Sequence, residues 1–219
     1  FDWFLIVEQS SSSADKRLMN TLIVNILLAL GVAALVILIG GLTLHGYQRR
    51  LETMATTDKL TGTANRQAFD VLFDQVRRGA RRREEPVTLV TLDVDHFKEI
   101  NDRHGHQVGD DTLKALVATV TSAIRESDTL CRWGGDEFLV LMPGADLEQA
   151  RQTAERLREQ VAARLRRPDG APVTVSQGIA QLRSEETLDT LIQRADLALY
   201  RAKEAGRNHV ATETDAADA

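Results

Sequence analysis

Two glycines followed by two carboxylates lie between two apolar runs near the middle of the chain. Residues 134–137 carry the motif, with Asp136 and Glu137 as its acids, and mainly apolar residues fill 129–131 and 138–142. Paired apolar runs around a short glycine-containing connection predict a β-hairpin, because glycine adopts the positive φ values that tight turns need. The turn would hold both acids in place. Taken alone, the same motif is also typical of an ordinary surface turn.

A second acidic strand end lies upstream of this hairpin. Residues 88–92 are apolar or β-branched, and Asp93 and Asp95 close the run. If this strand is a neighbour of the hairpin, its carboxylates converge with Asp136 on one site. Carboxylates suit Mg²⁺, a hard cation that binds few protein ligands together with substrate phosphates. The pattern therefore predicts a magnesium-dependent site for a nucleoside triphosphate.

Three further motifs precede the hairpin in order along the chain. They are Asp58–Arg66, Asp93–Asp102 and Gly105–Asp110. Together with the hairpin they resemble the GGDEF family of diguanylate cyclases, over roughly residues 52–211. Thr63 and Gln67 depart from the leucine and arginine common in the family, but neither belongs to the predicted chemistry. The resemblance implies an enzyme that condenses two GTP molecules into cyclic di-GMP and two pyrophosphates.

The resemblance also implies an α+β fold, the palm-like fold of nucleotidyl cyclases, with helices over a mixed central sheet. The domain would occupy residues 58–211, and apolar periodicity predicts its elements. Helices are predicted at 67–82, 96–103, 110–125, 147–161 and 188–205, and strands at 87–95, 129–131, 138–142, 173–182 and 209–211. Residues 58–65 are too rich in threonine and glycine to be helical throughout.

The family's metal ligands correspond here to Asp93, the backbone carbonyl of Val94, and Asp136. The resemblance implies two Mg²⁺ ions per active site, about 3.5–4 Å apart, with Mn²⁺ as an alternative. Asp136 corresponds to the family's proton acceptor, although Glu137 beside it offers the same chemistry. Lys98 corresponds to the cation that meets the triphosphate or the charge of the transition state. A plain surface lysine is the alternative for Lys98.

Other matched positions would hold the nucleotide. Asn101 and Asp110 correspond to the guanine-reading pair, because an amide and a carboxylate complement guanine N1–H and N2–H₂, a pattern that adenine lacks. His106 matches a nucleotide-contacting position, with solvent exposure without a role as the alternative. Lys203 and Arg207 are four residues apart, so on one helix both would face phosphates.

Arg125 and Asp128 form an Arg-x-x-Asp motif shortly before the hairpin. Five residues separate Asp128 from Gly134, which is the spacing of the family's product-binding inhibitory site. There the guanidinium would bind a guanine or a phosphate, and the carboxylate would accept from guanine. Arg156 on the following helix is a candidate third member. An ordinary surface ion pair between the two motif residues is the alternative.

The predicted reaction requires more than one copy of the chain. One GTP per domain cannot make a cyclic dinucleotide, so two copies must face each other with two-fold symmetry. The expected partners are GTP, cyclic di-GMP, the membrane and a second copy. A net charge of −5 gives no signature of nucleic-acid binding. A non-catalytic receptor for GTP or cyclic di-GMP is the rival hypothesis; loss of an acid or of Lys98 would mark it, and neither is lost.

An apolar segment precedes the catalytic motifs. Residues 21–44 contain no charged side chain, and as a helix they would span roughly 36 Å, enough for a hydrocarbon core of about 30 Å. We predict a transmembrane helix there; a buried core helix or a signal peptide fits its length less well. Because the reaction consumes GTP, the catalytic domain would lie in the cytoplasm, anchored at the inner membrane. The single cysteine, Cys131, excludes an internal disulfide.

The remaining segments are assigned from pattern and composition. Residues 45–57 predict a signalling helix that pairs with its copy in a dimer, with an inert tether as the alternative. Residues 1–20 would end an extracytoplasmic sensor, since 1–9 resembles the last strand of a Cache-type domain; a free apolar terminus is the alternative. Because the chain begins with Phe rather than Met, we expect it to belong to a longer protein. Residues 212–219 predict a disordered tail.

Overall fold

The computed structural model describes residues 12–54 and 56–215 of the chain. These residues divide into two compact units, separated after Met54, and each unit is described by itself. The strand predicted at 1–9 lies outside the described residues.

The first unit consists of one helix, α1, at Ser12–Met54. Its segment Lys16–Thr43 has a mean hydropathy of 3.0, and none of its most apolar stretch is buried inside the structure. By length and composition, α1 is able to cross a membrane, which agrees with the span predicted at 21–44. The helix continues through most of the segment predicted to carry the signal.

The second unit is an α+β domain with one six-stranded mixed sheet. Its helices are α2 (Arg66–Arg83), α3 (Phe97–His104), α4 (His106–Ala123), α5 (Leu147–Arg164) and α6 (Leu188–Glu204), and its strands are β1 (Ala64–Asn65), β2 (Val87–Val94), β3 (Thr129–Gly134), β4 (Glu137–Pro143), β5 (Val175–Gln181) and β6 (Val210–Thr212). The strand order is β1-β3-β4-β2-β5-β6. The central pairs are antiparallel and the pair at each edge is parallel. The fold class and the element order agree with the sequence prediction.

Strand β2 lies at the centre of the core, and all of its residues are buried. Successive side chains of a strand point to opposite faces. On one face Val90 packs in a cluster with Leu116 of α4. On the other face Leu89 packs in a cluster with Phe69 of α2 and Leu191 of α6. Helices therefore cover both faces of the sheet and fix where β2 ends.

Helix α6 lies close to β5 at Gly178. A Cβ atom there would lie 2.1 Å from the carbonyl oxygen of Ala195 and 2.2 Å from the backbone nitrogen of Leu199. Only glycine permits so close an approach. The hydroxyl of Thr91 on β2 also donates to the Ala195 carbonyl at 3.3 Å. These contacts fix the position of α6 over the sheet, and with it the residues at the end of the helix.

The predicted start of α4 is wrong by one turn. The helix begins at His106 rather than at Asp110, because Gly105, with φ +86°, makes the whole break between α3 and α4 by itself. Gly109 then lies inside α4, where a Cβ atom would approach the Oδ1 atom of Asn101 to 2.0 Å. The glycine lets the two helices meet at this point.

The prediction of a disordered tail from Thr212 is also wrong at its start. Thr212 is the last residue of β6, and Glu213 accepts a hydrogen bond from the backbone N–H of Gln181 at 2.9 Å. Residues 216–219 lie outside the described residues. The sequence analysis also missed β1, because a strand of two residues has no periodicity to detect.

Candidate active site

The two acidic segments predicted to converge are neighbours in the sheet. Strands β2 and β4 are antiparallel, with Asp93 opposite Glu137. The Val94 N–H donates to the Asp136 carbonyl at 3.4 Å. A bulge in 132–134 shifts the register of β3 against β4 just before the turn, and bulges re-aim the side chains beside them. The end of β2 and the turn of the hairpin therefore form one acidic edge.

Asp93 is the most enclosed acid of this edge, and its residue is only 8% exposed. The Lys203 ammonium lies 2.8 Å from its Oδ1 atom. Burial raises the pKa of the Asp93 carboxyl, the negative charges of Asp136 and Glu137 raise it further, and Lys203 opposes them. Because the net direction is upward, the Lys203 ammonium does not fully offset the burial of this carboxylate together with the repulsion from its acidic neighbours.

Asp196 is a further acid near this edge that the sequence analysis did not identify. It lies seven residues before Lys203 on α6, which places both on the same face of the helix. Although Asp196 is exposed, desolvation by neighbouring atoms raises its carboxyl pKa, Glu137 raises it further, and Lys203 lowers it. The seven-residue spacing of Asp196 and Lys203 is visible in the sequence. It indicates a shared site only once α6 is known to lie beside the hairpin.

Asp95 differs from Asp93 although only one residue separates them. Its carboxylate is buried and accepts from the hydroxyls of Thr174 and Ser176, both at 2.7 Å, and from the Asn208 N–H at 2.9 Å. These three hydrogen bonds satisfy the Asp95 carboxylate. They link the start of β5 and the loop before β6 to the end of β2. Asp95 is therefore a structural acid, whereas Asp93 faces the acidic edge.

The donor set of the edge fits a cation that completes its coordination with other ligands. Within residues 12–54 and 56–215, no group of three His, Cys, Asp or Glu side chains is placed to hold a metal. The predicted ligands are two carboxylates, Asp93 and Asp136, and the Val94 carbonyl. Mg²⁺ suits so small a set, because it retains waters and takes further oxygens from substrate phosphates.

The predicted guanine-reading residues are brought together by the break between α3 and α4. Asn101 packs directly against Gly109, the residue before Asp110. The side chains of Asn101 and Asp110 are partly buried, whereas those of Lys98 and His106 are exposed. No hydrogen bond or ion pair within the described part of the chain joins Lys98 or His106 to another side chain. The structure thus places the Asn101 side chain beside the residue that precedes Asp110, and it leaves Lys98 and His106 exposed to solvent.

The prediction that Lys203 and Arg207 lie one turn apart on a helix is wrong. Helix α6 ends at Glu204, and Gly206 follows with φ +110°. Arg207 has φ +62°, which directs the chain away from the helix axis, and its side chain is exposed. Glycine after the last helical turn is a common stop signal. Lys203 alone remains on α6 beside the acidic edge.

Arg132 holds the turn of the hairpin to the segment before β1, a contact that the sequence analysis missed. Its Nη1 atom lies 3.1 Å from Asp58 Oδ1, and its Nη2 atom donates to the Gly135 carbonyl at 2.7 Å. Burial alone would raise the pKa of Asp58, but hydrogen bonds from Thr61 and the Arg132 guanidinium lower it below its usual range. The carbonyl that precedes Asp136 is therefore fixed by a partly buried ion pair.

The three residues predicted to bind product surround one hollow. Arg125, Asp128 and Arg156 line a hollow of about 320 Å³ between the end of α4 and the middle of α5. Asp128 accepts from the Arg125 backbone N–H at 2.9 Å, and the Arg156 guanidinium donates to the Ala123 carbonyl at 3.0 Å. Among the described residues, no ion pair joins the Arg125 and Asp128 side chains. The Arg125 guanidinium is therefore available to a ligand.

Known proteins match most of this chain in sequence. Residues 55–209 match the family model described as "Diguanylate cyclase, GGDEF domain". The chain is 40% identical over 168 residues to the diguanylate cyclase DgcP of Pseudomonas aeruginosa, across 76% of this chain and 25% of that protein. It is 40% identical over 165 residues to the probable diguanylate cyclase DgcC of Escherichia coli K12, across 74% of this chain and 44% of that protein.

A solved structure has the same fold. The GGDEF domain of DgcB from Caulobacter crescentus, in complex with c-di-GMP, is 35% identical with a TM-score of 0.69, across 73% of this chain and 93% of that one. The chain spans less than half the length of the two curated relatives it matches. The family match nevertheless covers most of the chain, including both strands of the acidic edge, and the chain belongs to the GGDEF family.

Proposed function

We propose that this protein is a diguanylate cyclase, which joins two GTP molecules into cyclic di-GMP and releases two pyrophosphates. The observation that supports this most is the acidic edge at the end of β2. There the buried carboxylate of Asp93 lies near enough to Asp136 for the two negative charges to repel each other. A site of this kind gains stability when a cation and a phosphate-bearing ligand arrive together. The names of the relatives support the same activity.

Guanine would be read between α3 and α4. The Asp110 carboxylate accepts from guanine N1–H and N2–H₂, and the Asn101 amide supplies a donor and an acceptor beside it. Adenine has no donor at N1, so its binding would leave the carboxylate without a partner. Buried polar groups left without partners are the usual source of strong discrimination.

In the reaction, the 3′-hydroxyl of each GTP attacks the α-phosphorus of the other. A new P–O bond forms, the bond from the α-phosphorus to the bridging oxygen breaks, and pyrophosphate leaves. Asp136 or Glu137 accepts the hydroxyl proton. Two Mg²⁺ ions held by Asp93, Val94 and Asp136 would supply Lewis acidity and charge neutralisation. Lys98 and Lys203 would face the phosphates, and His106 would contact the nucleotide.

Each chain carries half of this reaction centre, so catalysis needs a two-fold symmetric pair of catalytic units. A dimer of this kind allows control, because anything that changes how often the halves meet changes the rate. We propose that α1 anchors the protein in the inner membrane, with the catalytic unit in the cytoplasm. Its continuation to Met54 would carry the signal.

Product inhibition would act at the hollow lined by Arg125, Asp128 and Arg156. Its guanidinium groups and carboxylate suit the phosphates and guanine edges of cyclic di-GMP. Replacing Arg125 with alanine is expected to leave the initial rate unchanged and to raise the concentration of added cyclic di-GMP that halves it by at least about tenfold. If the variant remains as sensitive as the parent, the inhibitory site is wrongly placed.

The activity is tested with the full chain in detergent micelles. The protein is incubated with GTP or ATP and with Mg²⁺ or Mn²⁺, and the products are separated by chromatography and identified by mass. Cyclic di-GMP and pyrophosphate are expected from GTP alone. Bound GTP without any product would support a non-catalytic receptor, and a cyclic product from ATP would show relaxed purine choice.

A further inference from the structure

The Lys203 ammonium lies against an oxygen of Asp93, the carboxylate that is proposed to bind metal. The Lys203 Nζ atom lies 2.8 Å from Asp93 Oδ1, and the two side chains are 32% and 11% exposed. An ammonium at this distance takes a lone pair of the same oxygen that would coordinate a cation. A divalent ion that coordinates Asp93 through Oδ1 must therefore displace Lys203 or share the oxygen with it, and one that coordinates through Oδ2 still lies near the positive charge of the ammonium.

The position of Lys203 follows from the packing of α6. The close approach at Gly178 fixes the helix on β5, and Ala202, the residue before Lys203, is fully buried. The backbone of Lys203 therefore cannot drift, but its four-carbon side chain can turn. The ammonium is able to leave Asp93 while α6 stays in place.

Other charges near the edge do not offer the same contact. Asp136, Glu137 and Asp196 are all acids, and within the described residues Lys203 is the only cation paired with Asp93. Lys98 and Arg207 are exposed and make no ion pair there. Lys203 is thus the cation that the structure pairs with Asp93 at this edge.

We propose that Lys203 excludes metal from Asp93 until a nucleoside triphosphate is present. Phosphates give the ammonium an alternative anionic partner, so Lys203 moves to the triphosphate and Asp93 becomes free for the cation. Metal and nucleotide then bind with positive coupling, which is reciprocal between the two ligands. The inference rests on the proposed function in one respect, the identity of Asp93 as a metal ligand.

Mn²⁺ binding without nucleotide tests this directly. The full chain in detergent is titrated with Mn²⁺ alone, and free Mn²⁺ is measured by electron paramagnetic resonance. Lys203→Gln is expected to bind Mn²⁺ about tenfold more tightly than the parent, because the competing cation is removed. Lys203→Arg retains a cation and is expected to bind as weakly as the parent.

Two control variants change the net charge equally without touching Asp93. Lys59→Gln and Lys114→Gln each remove one positive charge from an exposed side chain outside the proposed site, and both are expected to change Mn²⁺ affinity less than about twofold. If the control variants bind Mn²⁺ as much more tightly as Lys203→Gln does, the change in net charge alone explains the effect, and the proposal is overturned. Unchanged Mn²⁺ affinity in Lys203→Gln would overturn it as well.

A second titration measures the coupling itself. With a saturating α,β-methylene analogue of GTP, the parent is expected to bind Mn²⁺ at least about tenfold more tightly than without nucleotide, and Lys203→Gln is expected to lose most of this gain. A parent that shows no gain would contradict the inference. Because neither titration requires turnover, a protein that excludes Mn²⁺ in this way but makes no cyclic di-GMP would refute the proposed function and leave the inference standing.

Discussion

At one end of β2 the Lys203 ammonium is paired with Asp93 beside further acids, whereas at the other end Arg194 lies between Glu186 and Glu213. The Arg194 Nε atom donates to Glu186 Oε1 at 2.8 Å, and its Nη2 atom donates to the Gln181 carbonyl at 2.7 Å. Further contacts join the guanidinium to both carboxylates. Both ends contain enclosed acids paired with a cation, but only at the second end does one cation, Arg194, have several partners.

The pKa directions separate the two ends. Burial tends to lower the pKa of the Arg194 guanidinium, but its bonds to Glu186 and Glu213 outweigh burial and raise it. Burial would likewise raise the pKa of Glu213, yet the Gln181 N–H and Arg194 lower it. For Asp93 the balance is the reverse, and its pKa is raised. A buried charged cluster stabilises the fold when its own partners favour the charged forms of its members. Where burial and repulsion outweigh those partners, the cluster is a candidate ligand-binding site.

The largest expected effect is a loss of activity without a loss of stability at the acidic edge. Asp136→Ala is expected to lower kcat by at least about 1,000-fold, because it removes a metal ligand and a proton acceptor together. The free energy of unfolding is expected to stay equal or to rise slightly, since one of the repelling charges is gone. Steady-state kinetics and urea denaturation of the same protein measure both quantities.

A matched acid provides the control for this first prediction. Asp102 is exposed on α3, and Asp102→Ala is expected to change the free energy of unfolding by less than about 0.5 kcal/mol and to retain turnover. A destabilised Asp136→Ala protein would mean that the acidic edge supports the fold, and the contrast between the two ends would then be lost.

The opposite result is expected at the other end. Arg194→Met removes the cation that pairs with Glu186 and leaves Glu213 only the exposed Arg183, and it is expected to lower the free energy of unfolding by about 3 kcal/mol. Urea denaturation at neutral pH measures the loss. Values of kcat/KM for the folded fraction are expected to remain those of the parent, because Arg194 lies far along the sheet from the acidic edge.

Arg183 is the natural control, since it pairs with the same carboxylate at 2.9 Å but its side chain is 68% exposed. Arg183→Met is expected to cost less than about 1 kcal/mol, as exposed ion pairs usually do. If both variants lose the same stability, enclosure does not distinguish the Arg194 contacts from a surface pair.

Local patterns made much of this architecture predictable. The hairpin around Asp136 follows from residues adjacent in sequence, and the run of apolar and β-branched residues in β2 predicts a strand buried on both faces. The ends of most helices and strands agree with the prediction to within one or two residues. The largest difference is the start of α4 after Gly105, because sequence alone does not show that one positive-φ residue suffices to restart a helix.

Contacts between distant segments were not predictable from the same patterns. Asp58 and Arg132 are 74 residues apart, and neither has a local signature that indicates the other. The ion pair of Lys203 with Asp93 depends on how closely α6 approaches β5, which is set by Gly178. The side chain of Arg207 was misplaced because the backbone leaves the helix at Gly206. Each of these depends on tertiary packing rather than on periodicity.

The smallest expected effect is a difference between the two ends of the sheet in how stability depends on pH. Because the pKa of Asp93 is raised in the folded state, its contribution to stability is fully present below the unfolded pKa and is lost as the pH rises through the folded value. Asp93→Asn removes this loss, so at pH 7 the variant is expected to be more stable than the parent. The difference is expected to shrink as the pH falls.

Glu213→Gln is the matched variant with the opposite sign. The pKa of Glu213 is lowered on folding, so its stabilisation is present above the unfolded pKa and disappears as the pH falls through the folded value. The glutamine variant is therefore expected to be less stable than the parent at pH 7 and to approach it in acid. Urea denaturation of the parent and both variants between pH 4 and pH 8 measures the two trends. An Asp93→Asn protein that is less stable than the parent at pH 7 would mean that its pairing with Lys203 outweighs burial and repulsion, so that both ends of the sheet are held together by their charges.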